Sequence, residues 1–267
     1  MKICFITVNY NNSKLTKEYI WSIKKIIKNE EDRIDTIVID NDSIFKEKII
    51  LKEINEKNLK IIFNEKNLGY FQGLNIGLKE IQGKEYEYII ISNNDIIFEK
   101  DFLIKLKESK YDEDTLVICP NLKTKDNIHQ NPMQKKRYSK FYKFKSDIYF
   151  FNYILTNFIL KLINLFRKKR KNENIYWKES DYIWIGIGAC YILVNNFRNY
   201  IPLLDNRVFL WGEEALFANQ IHSLDKKVYY DSNIKAIHLE SASVSKMPSK
   251  TKYNMIKQSY KIYRKYL

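Results

Sequence analysis

Apolar and polar positions along the first hundred residues form two alternating kinds of block. Ile3 to Val8 is a short β-branched and apolar run, the pattern of a buried strand. Leu15, Tyr19, Ile20, Ile23, Ile26 and Ile27 then recur at three- and four-residue spacing, which predicts a helix over Leu15 to Ile27. The alternation repeats as strand Thr36 to Ile39, helix Phe45 to Ile54, strand Lys60 to Phe63, helix Tyr70 to Ile81 and strand Tyr88 to Ile91. Four strands separated by helices predict an α/β fold with a doubly wound, mostly parallel sheet flanked by helices. Gly69, Gly73 and Gly77, spaced four apart, share one face of the third helix, where a missing side chain allows close packing.

The predicted strands end in polar groups: Asn9-Tyr10-Asn11, Asp40-Asn41-Asp42-Ser43, Asn64-Glu65 before Asn67-Leu68-Gly69, and Ser92-Asn93-Asn94-Asp95. A single such loop is equally well a turn or a helix cap, and Asp42 is read as a cap before Ile44. Four together point to one pocket of amide and carboxylate groups, because open α/β sheets bind ligands outside the carboxyl ends of their strands. No G-x-x-x-x-G-K-[ST] occurs, and no G-x-G-x-x-G follows the first strand, so the P-loop and dinucleotide-binding classes are excluded.

Composition narrows the class further. With 267 residues and 45% hydrophobic content, the chain can bury a full core as one large domain. Cys4, Cys119 and Cys190 lie far apart among apolar neighbours, which suits core residues in a reducing compartment rather than a disulfide or zinc framework. Met1 to Val8 is too short for a secretory apolar region, so a cytoplasmic location is expected. A net charge of +14 is compatible with nucleic acid, an anionic membrane or phosphate-bearing substrates. Interleaved Lys and Tyr permit nucleic-acid contacts, but no recognition motif accompanies them and no nucleic-acid partner is expected.

Two later segments stand apart. Ile148 to Phe166 is mostly apolar and aromatic, with Asn157, Lys161, Asn164 and Lys168 along one helical face, and it runs into Arg167-Lys168-Lys169-Arg170-Lys171. Residues 148–171 are therefore read as a helical insertion lying in an anionic membrane interface. Residues 252–267 form a second basic helical segment, with Tyr253, Ile256, Tyr260 and Tyr263 at three- and four-residue spacing. It is expected to dock on the domain or touch the membrane.

Seven segments, taken in order, resemble the inverting glycosyltransferases of family 2, particularly the rhamnosyltransferase-like branch. They are Val8-Asn9-Tyr10-Asn11, Ile37 to Ser43, Asn64 to Tyr70, Ser92-Asn93-Asn94-Asp95, Gly188-Ala189-Cys190, Phe209-Leu210-Trp211-Gly212-Glu213-Glu214 and Ala236-Ile237-His238-Leu239-Glu240-Ser241. The resemblance implies a single GT-A domain over 1–267, with a nucleotide-sugar-binding half (1–98) and an acceptor-side half (99–267). It implies donor contacts from Asn9, Asn11, Asp40, Asn67, Gly69, Asn93 and Asn94, with the Asp40 carboxylate accepting the imide N–H of a uracil or thymine. Asp95 is expected to hold Mg2+ or Mn2+ against the diphosphate, with His238 as second ligand. The family's aspartate-x-aspartate pattern is broken here, since Asn93 stands at its first position.

On the acceptor side the resemblance implies Gly188 and Trp211, and an acidic pair, Glu213 and Glu214, of which Glu214 is the expected base. The expected activity is transfer of a sugar from a UDP- or dTDP-sugar to an acceptor hydroxyl, with inversion. The acceptor would be a glycan or lipid-linked saccharide in bacterial surface polysaccharide synthesis, at the inner face of the cell membrane. The alternative is a catalytically silent, membrane-associated protein that binds nucleotide sugar or glycan.

Overall fold

The computed structural model describes residues 1–158, 175–240 and 249–267. Its first part runs β1 (Lys2–Asn9), α1 (Ser13–Lys24), β2 (Arg33–Asp40), α2 (Phe45–Lys52), β3 (Leu59–Phe63), α3 (Tyr70–Glu80) and β4 (Tyr88–Asn93). Next come β5 (Ile96–Phe98), α4 (Phe102–Glu108), β6 (Thr115–Thr124) and α5 (Lys140–Phe151). The chain continues through β7 (Asp181–Ile183), β8 (Cys190–Val194), α6 (Phe197–Tyr200), α7 (Glu213–His222), β9 (Lys227–His238) and α8 (Ser249–Tyr263).

Among the described residues the strands form one sheet in the order β3-β2-β1-β4-β8-β6-β9-β5, with β7 also on β9. The four strands expected from the sequence are parallel to one another. Antiparallel β8 is wedged between β4 and β6, and β5 and β7 run antiparallel to β9. Strand order reverses direction at β1, whose neighbours are β2 and β4, and this is the switch point where a doubly wound sheet leaves a crevice.

Both faces of the sheet are covered, which explains the unbroken apolar runs. Cys4 and Ile6 of β1 and Ile37 and Ile39 of β2 face Phe71, Leu74 and Leu78 of α3. Ile3, Phe5 and Val38 point the other way, to Tyr19, Ile20 and Ile23 of α1 and Phe102, Leu103 and Leu106 of α4. The three cysteines are buried and unpaired by disulfides. Gly73 and Gly77 let α3 approach β1: a Cβ on Gly77 would lie 2.4 Å from Ile6 Cγ2, and one on Gly73 would lie 2.9 Å from Val8 Cγ2.

The later segments differ in detail from the reading of the sequence. Helix α5 starts at Lys140, well before the expected insertion, and gives way to extended backbone at Asn152. Residues 159–171 of that insertion, including its basic run, lie outside the described residues. No described helix is long and apolar enough to cross a membrane. Helix α8 docks: Phe150 of α5 stacks on Tyr260 at 4.5 Å, and Ser259 Oγ donates to Leu210 O at 2.8 Å. Asp42 does not cap α2. It pairs with Lys48 Nζ at 2.9 Å, while Asn11 Oδ1 accepts the Ile44 N–H at 2.8 Å.

The α3–β1 contact gives a stability test. Gly77→Ala should cost about 1–3 kcal/mol, the usual scale of overpacking, because the stiff β-branched Ile6 cannot rotate away. Urea unfolding of the variant checks this, and unchanged stability would rule out the close approach.

Candidate functional site

The polar strand ends converge as the sheet geometry requires. A cavity of about 700 Å3 opens there, walled by Tyr10, Asn41, Asn67, Gly69, Asn93, Asn94 and Asp95 on the amino-terminal side. Gly188, Phe209, Trp211, Glu213, Glu214, His238 and Met255 close the other side. A larger cavity, about 1110 Å3, lies at the opposite ends of the strands beside Lys2, Tyr86 and Arg198, and none of the expected site residues reaches it.

Three expected donor residues are not on the cavity wall: Asn9 and Asp40 lie behind it, and Asn11 is exposed beside it. Asn9 and Asp40 are fully buried, and Asn9 Nδ2 donates to Asp40 Oδ1 at 2.8 Å and to Ser43 Oγ at 3.1 Å. Ser43 N–H donates to Asp40 Oδ2 at 3.1 Å, so both carboxylate oxygens serve the chain's own turn. Asn94 Nδ2 donates to Asn9 Oδ1 at 3.1 Å and ties the β4–β5 turn to β1.

Asn41, which the sequence reading passed over between two carboxylates, is on the wall. Its Nδ2 donates to Gly69 O at 2.8 Å and Asn67 Oδ1 at 3.1 Å, and its Oδ1 accepts from Asn64 Nδ2 at 2.8 Å. Gly69 has φ +86°, which disfavours any side chain, and a Cβ there would meet Phe209 O at 2.4 Å. The Tyr70 N–H donates to that same carbonyl at 3.2 Å. The donor-side and acceptor-side loops thus touch through backbone.

Asp95 and His238 are brought together by strand pairing. Antiparallel β5 and β9 align Ile96 with His238, and Leu239 N–H donates to Asp95 O at 2.9 Å. His238 Nε2 lies 3.3 Å from Asp95 Oδ1 and 3.5 Å from Asn93 Nδ2. Two neighbouring ligands at right angles around a hard divalent cation at about 2.1 Å stand about 3.0 Å apart, so this spacing fits the cation. The carboxylate suits Mg2+ or Mn2+ in kind, and of the two the imidazole nitrogen favours the less hard Mn2+. No group of three or more His, Cys, Asp or Glu gathers among the described residues, so this pair has no third such side chain there.

The acidic pair opens α7. Gly212, the residue before it, has φ +98° and abuts the Tyr263 ring of α8. Glu213 is only 4% exposed, while Glu214 is half-buried, with its Oε1 3.4 Å from the Gly188 N–H. A Cβ on Gly188 would stand 2.9 Å from that oxygen, which explains a glycine there. Burial pushes both carboxyls above the ordinary value of 4.5, and repulsion from Glu214 adds to the shift at Glu213. The pair therefore holds a proton through a pH range in which exposed glutamates are ionised.

The profile of the family described as "Glycosyl transferase family 2" matches residues 4–182, more than half of the chain. The chain belongs to glycosyltransferase family 2. No individually curated protein is matched. Among solved structures, residues 1–349 of S. aureus TarS are 15% identical with a TM-score of 0.56, covering 90% of this chain and 60% of that one. GalNAc-T7, solved with UDP, GalNAc and Mn2+, is 14% identical with a TM-score of 0.60, covering 97% and 48%. The Pyrobaculum calidifontis mannosyltransferase PcManGT, in complex with GDP-Man and Mn2+, is 12% identical with a TM-score of 0.56, covering 97% and 69%. The chain spans about half to two thirds of these structures, and the likeness establishes the GT-A fold.

The buried pair makes stability depend on pH. A carboxyl whose pKa is raised in the folded state binds more protons folded than unfolded above pH 4.5, so stability falls as pH rises from there. Glu213→Gln should remove most of that decline. Melting temperatures across pH 5 to 9 check it, and parallel curves for wild type and variant would exclude the raised pKa.

Proposed function

We propose that the protein is an inverting glycosyltransferase that moves a sugar from a UDP- or dTDP-sugar to an acceptor hydroxyl. The observation that carries the proposal is a single cavity with a cation-type pair, Asp95 and His238, on one wall and an acidic pair, Glu213 and Glu214, on another. Among the described residues no Lys or Arg lines it. A nucleoside diphosphate bound there would need its charge met by other means, and a Mg2+ or Mn2+ held by Asp95 and His238 would supply Lewis-acid stabilisation of the leaving diphosphate. The Mn2+ in two of the structural neighbours supports the choice.

In this reading the nucleoside lies along Tyr10, Asn41 and Asn67, with Asn9 and Asp40 ordering the turn behind them. Glu214, the more accessible of the pair, takes the proton of the acceptor hydroxyl as its oxygen attacks the anomeric carbon. The C–O bond to the diphosphate breaks on the opposite face, so configuration inverts. Glu213, buried behind it, raises the basicity of Glu214 whenever it is ionised. Gly188 and Trp211 lie on the acceptor side.

We also place the work at an anionic membrane surface, with a lipid-linked saccharide or other surface glycan as acceptor. Phe141, Phe144, Ile148 and Phe151 recur at three- and four-residue spacing along α5 and are 64%, 59%, 40% and 73% exposed. Lys136, Arg137, Lys140 and Lys145 beside them are exposed too, while the one acid of α5, Asp147, is paired with Arg264. An aromatic stripe flanked by exposed cations suits insertion between anionic headgroups.

Transfer is tested with the purified chain and a panel of nucleotide sugars and acceptors. Glu214→Gln should lower turnover by roughly 10² or more with donor affinity retained. Donor binding without transfer by wild type would point instead to a silent binding protein, and full transfer by the variants at both glutamates would remove the pair from the mechanism.

Membrane docking is read by flotation on vesicles with and without phosphatidylglycerol. Binding should require the anionic lipid, weaken with salt and be lost in the Phe144→Asp, Phe151→Asp double variant. Equal recovery of that variant with the vesicles would exclude α5 as the docking face.

A further inference from the structure

After β6 the chain turns through Asn127 and comes back beside its own strand, where the Gln130 N–H donates to Leu122 O at 2.9 Å. Parallel pairing of β6 with β9 aligns Thr124 with His238, so the returning segment passes the end of β9. Gln130 there stands between two side chains. Its Nε2 donates to Glu240 Oε1 at 2.7 Å, and its Oε1 lies 2.8 Å from His238 Nδ1.

The Glu240 and Gln130 contacts fix one hydrogen of the His238 ring; a second, on Nε2, is present only in the charged ring, where it would be donated to Asp95. A carboxylate only accepts, so Glu240 draws the amide NH2 of Gln130 towards itself and leaves the amide oxygen for the ring. An amide oxygen also only accepts, so His238 Nδ1 carries a hydrogen and donates it. In the neutral ring the hydrogen is then absent from Nε2, whose lone pair faces Asp95 Oδ1 at 3.3 Å and the Asn93 amide at 3.5 Å.

We propose that Gln130, oriented by Glu240, is the positioning residue that sets His238 to the Nδ1–H tautomer and turns its Nε2 lone pair, beside Asp95, towards a divalent cation. The inference rests on the cation reading given under Proposed function. Gln130 and Glu240 add no ligand themselves. They fix the orientation of a ring that would otherwise present either nitrogen, which is how outer partners raise the affinity of a metal site.

The tautomer is measurable in the full chain without metal. Histidine labelled with 15N and long-range 1H–15N correlation distinguish the two ring nitrogens, and His238→Asn assigns the signal among the three histidines. At a pH where the ring is neutral, wild type should show a protonated Nδ1 and an unprotonated Nε2. Gln130→Glu keeps an acceptor at that place and should keep the tautomer. Gln130→Met, similar in length and without an acceptor, should lose the preference and weaken Mn2+ binding about 10- to 100-fold in titrations followed by electron paramagnetic resonance. Thermal melts of each variant report whether the fold is intact.

A protonated Nε2 in wild type overturns the proposal, as does a Gln130→Met variant with unchanged tautomer and Mn2+ affinity. Wild type with Nδ1–H that binds no Mn2+ would overturn the cation reading while leaving the tautomer assignment standing. The two failures are thereby distinguishable.

Discussion

The carboxamide of Asn9 is the point on which the geometry of the site depends. It is fully buried at the switch point of the sheet and fills every hydrogen-bonding position it has. Its NH2 donates to Asp40 and Ser43 after β2, and its oxygen accepts from Thr16 of α1 at 2.8 Å and from Asn94 of the β4–β5 turn at 3.1 Å. Each buried polar atom left without its partner would cost about 1–3 kcal/mol, so none of these loops can shift alone. Asp95 follows Asn94 directly, and its place in the cavity is thus tied to the end of β1.

The other wall is fixed by close contact more than by hydrogen bonds. Gly69 lies against the Phe209 carbonyl, Gly188 against the Glu214 carboxylate and Gly212 against the Tyr263 ring. Three loops distant in sequence therefore meet where side chains are missing. Helix α8 supplies Met255 to the cavity and Tyr263 to the start of α7, so the acidic pair is positioned by the carboxy-terminal segment as well as by its own helix. Burial of Glu213 under this arrangement holds a carboxyl in an unfavourable place, a local cost consistent with a catalytic setting and not with a stabilising one.

β1, β2 and β4 were legible in the sequence because they are buried on both faces and read as nearly continuous apolar runs, and the edge strand β3 because of Ile61, Ile62 and Phe63. The polar ends of those strands were legible for the complementary reason: each interrupts its apolar run at the carboxyl edge of the sheet. The three-residue β5 carried no comparable signal, while β8, Cys190–Val194, is an apolar run whose antiparallel placement between β4 and β6 no local pattern reports. Asn9 and Asp40 were found as polar strand ends, but their inward orientation depends on Ser43, Thr16 and Asn94, which periodicity does not report. Gln130 was invisible, because its meaning comes from His238 and Glu240, more than a hundred residues further along the chain. The exposed stripe of α5 was partly anticipated as an apolar run, although the structure places its described portion ahead of the expected start.

Charge distribution gives the last constraint. The chain carries 46 Lys and Arg against 32 Asp and Glu, yet the described residues lining the cavity include three carboxylates and no Lys or Arg. The overall positive charge would attract a nucleoside diphosphate from solution, while the carboxylates lining the cavity would repel it. Under the proposed function, a divalent cation resolves this conflict only where the diphosphate also binds it, because one carboxylate and a neutral imidazole offer few charged ligands and hence modest intrinsic affinity. Metal and donor would then enter as one unit, each supplying ligands or charge that the other lacks. The replacement of the family's first aspartate by Asn93 fits such an arrangement, since a second fixed carboxylate would hold the cation in the absence of donor, whereas an amide leaves its retention to the phosphates.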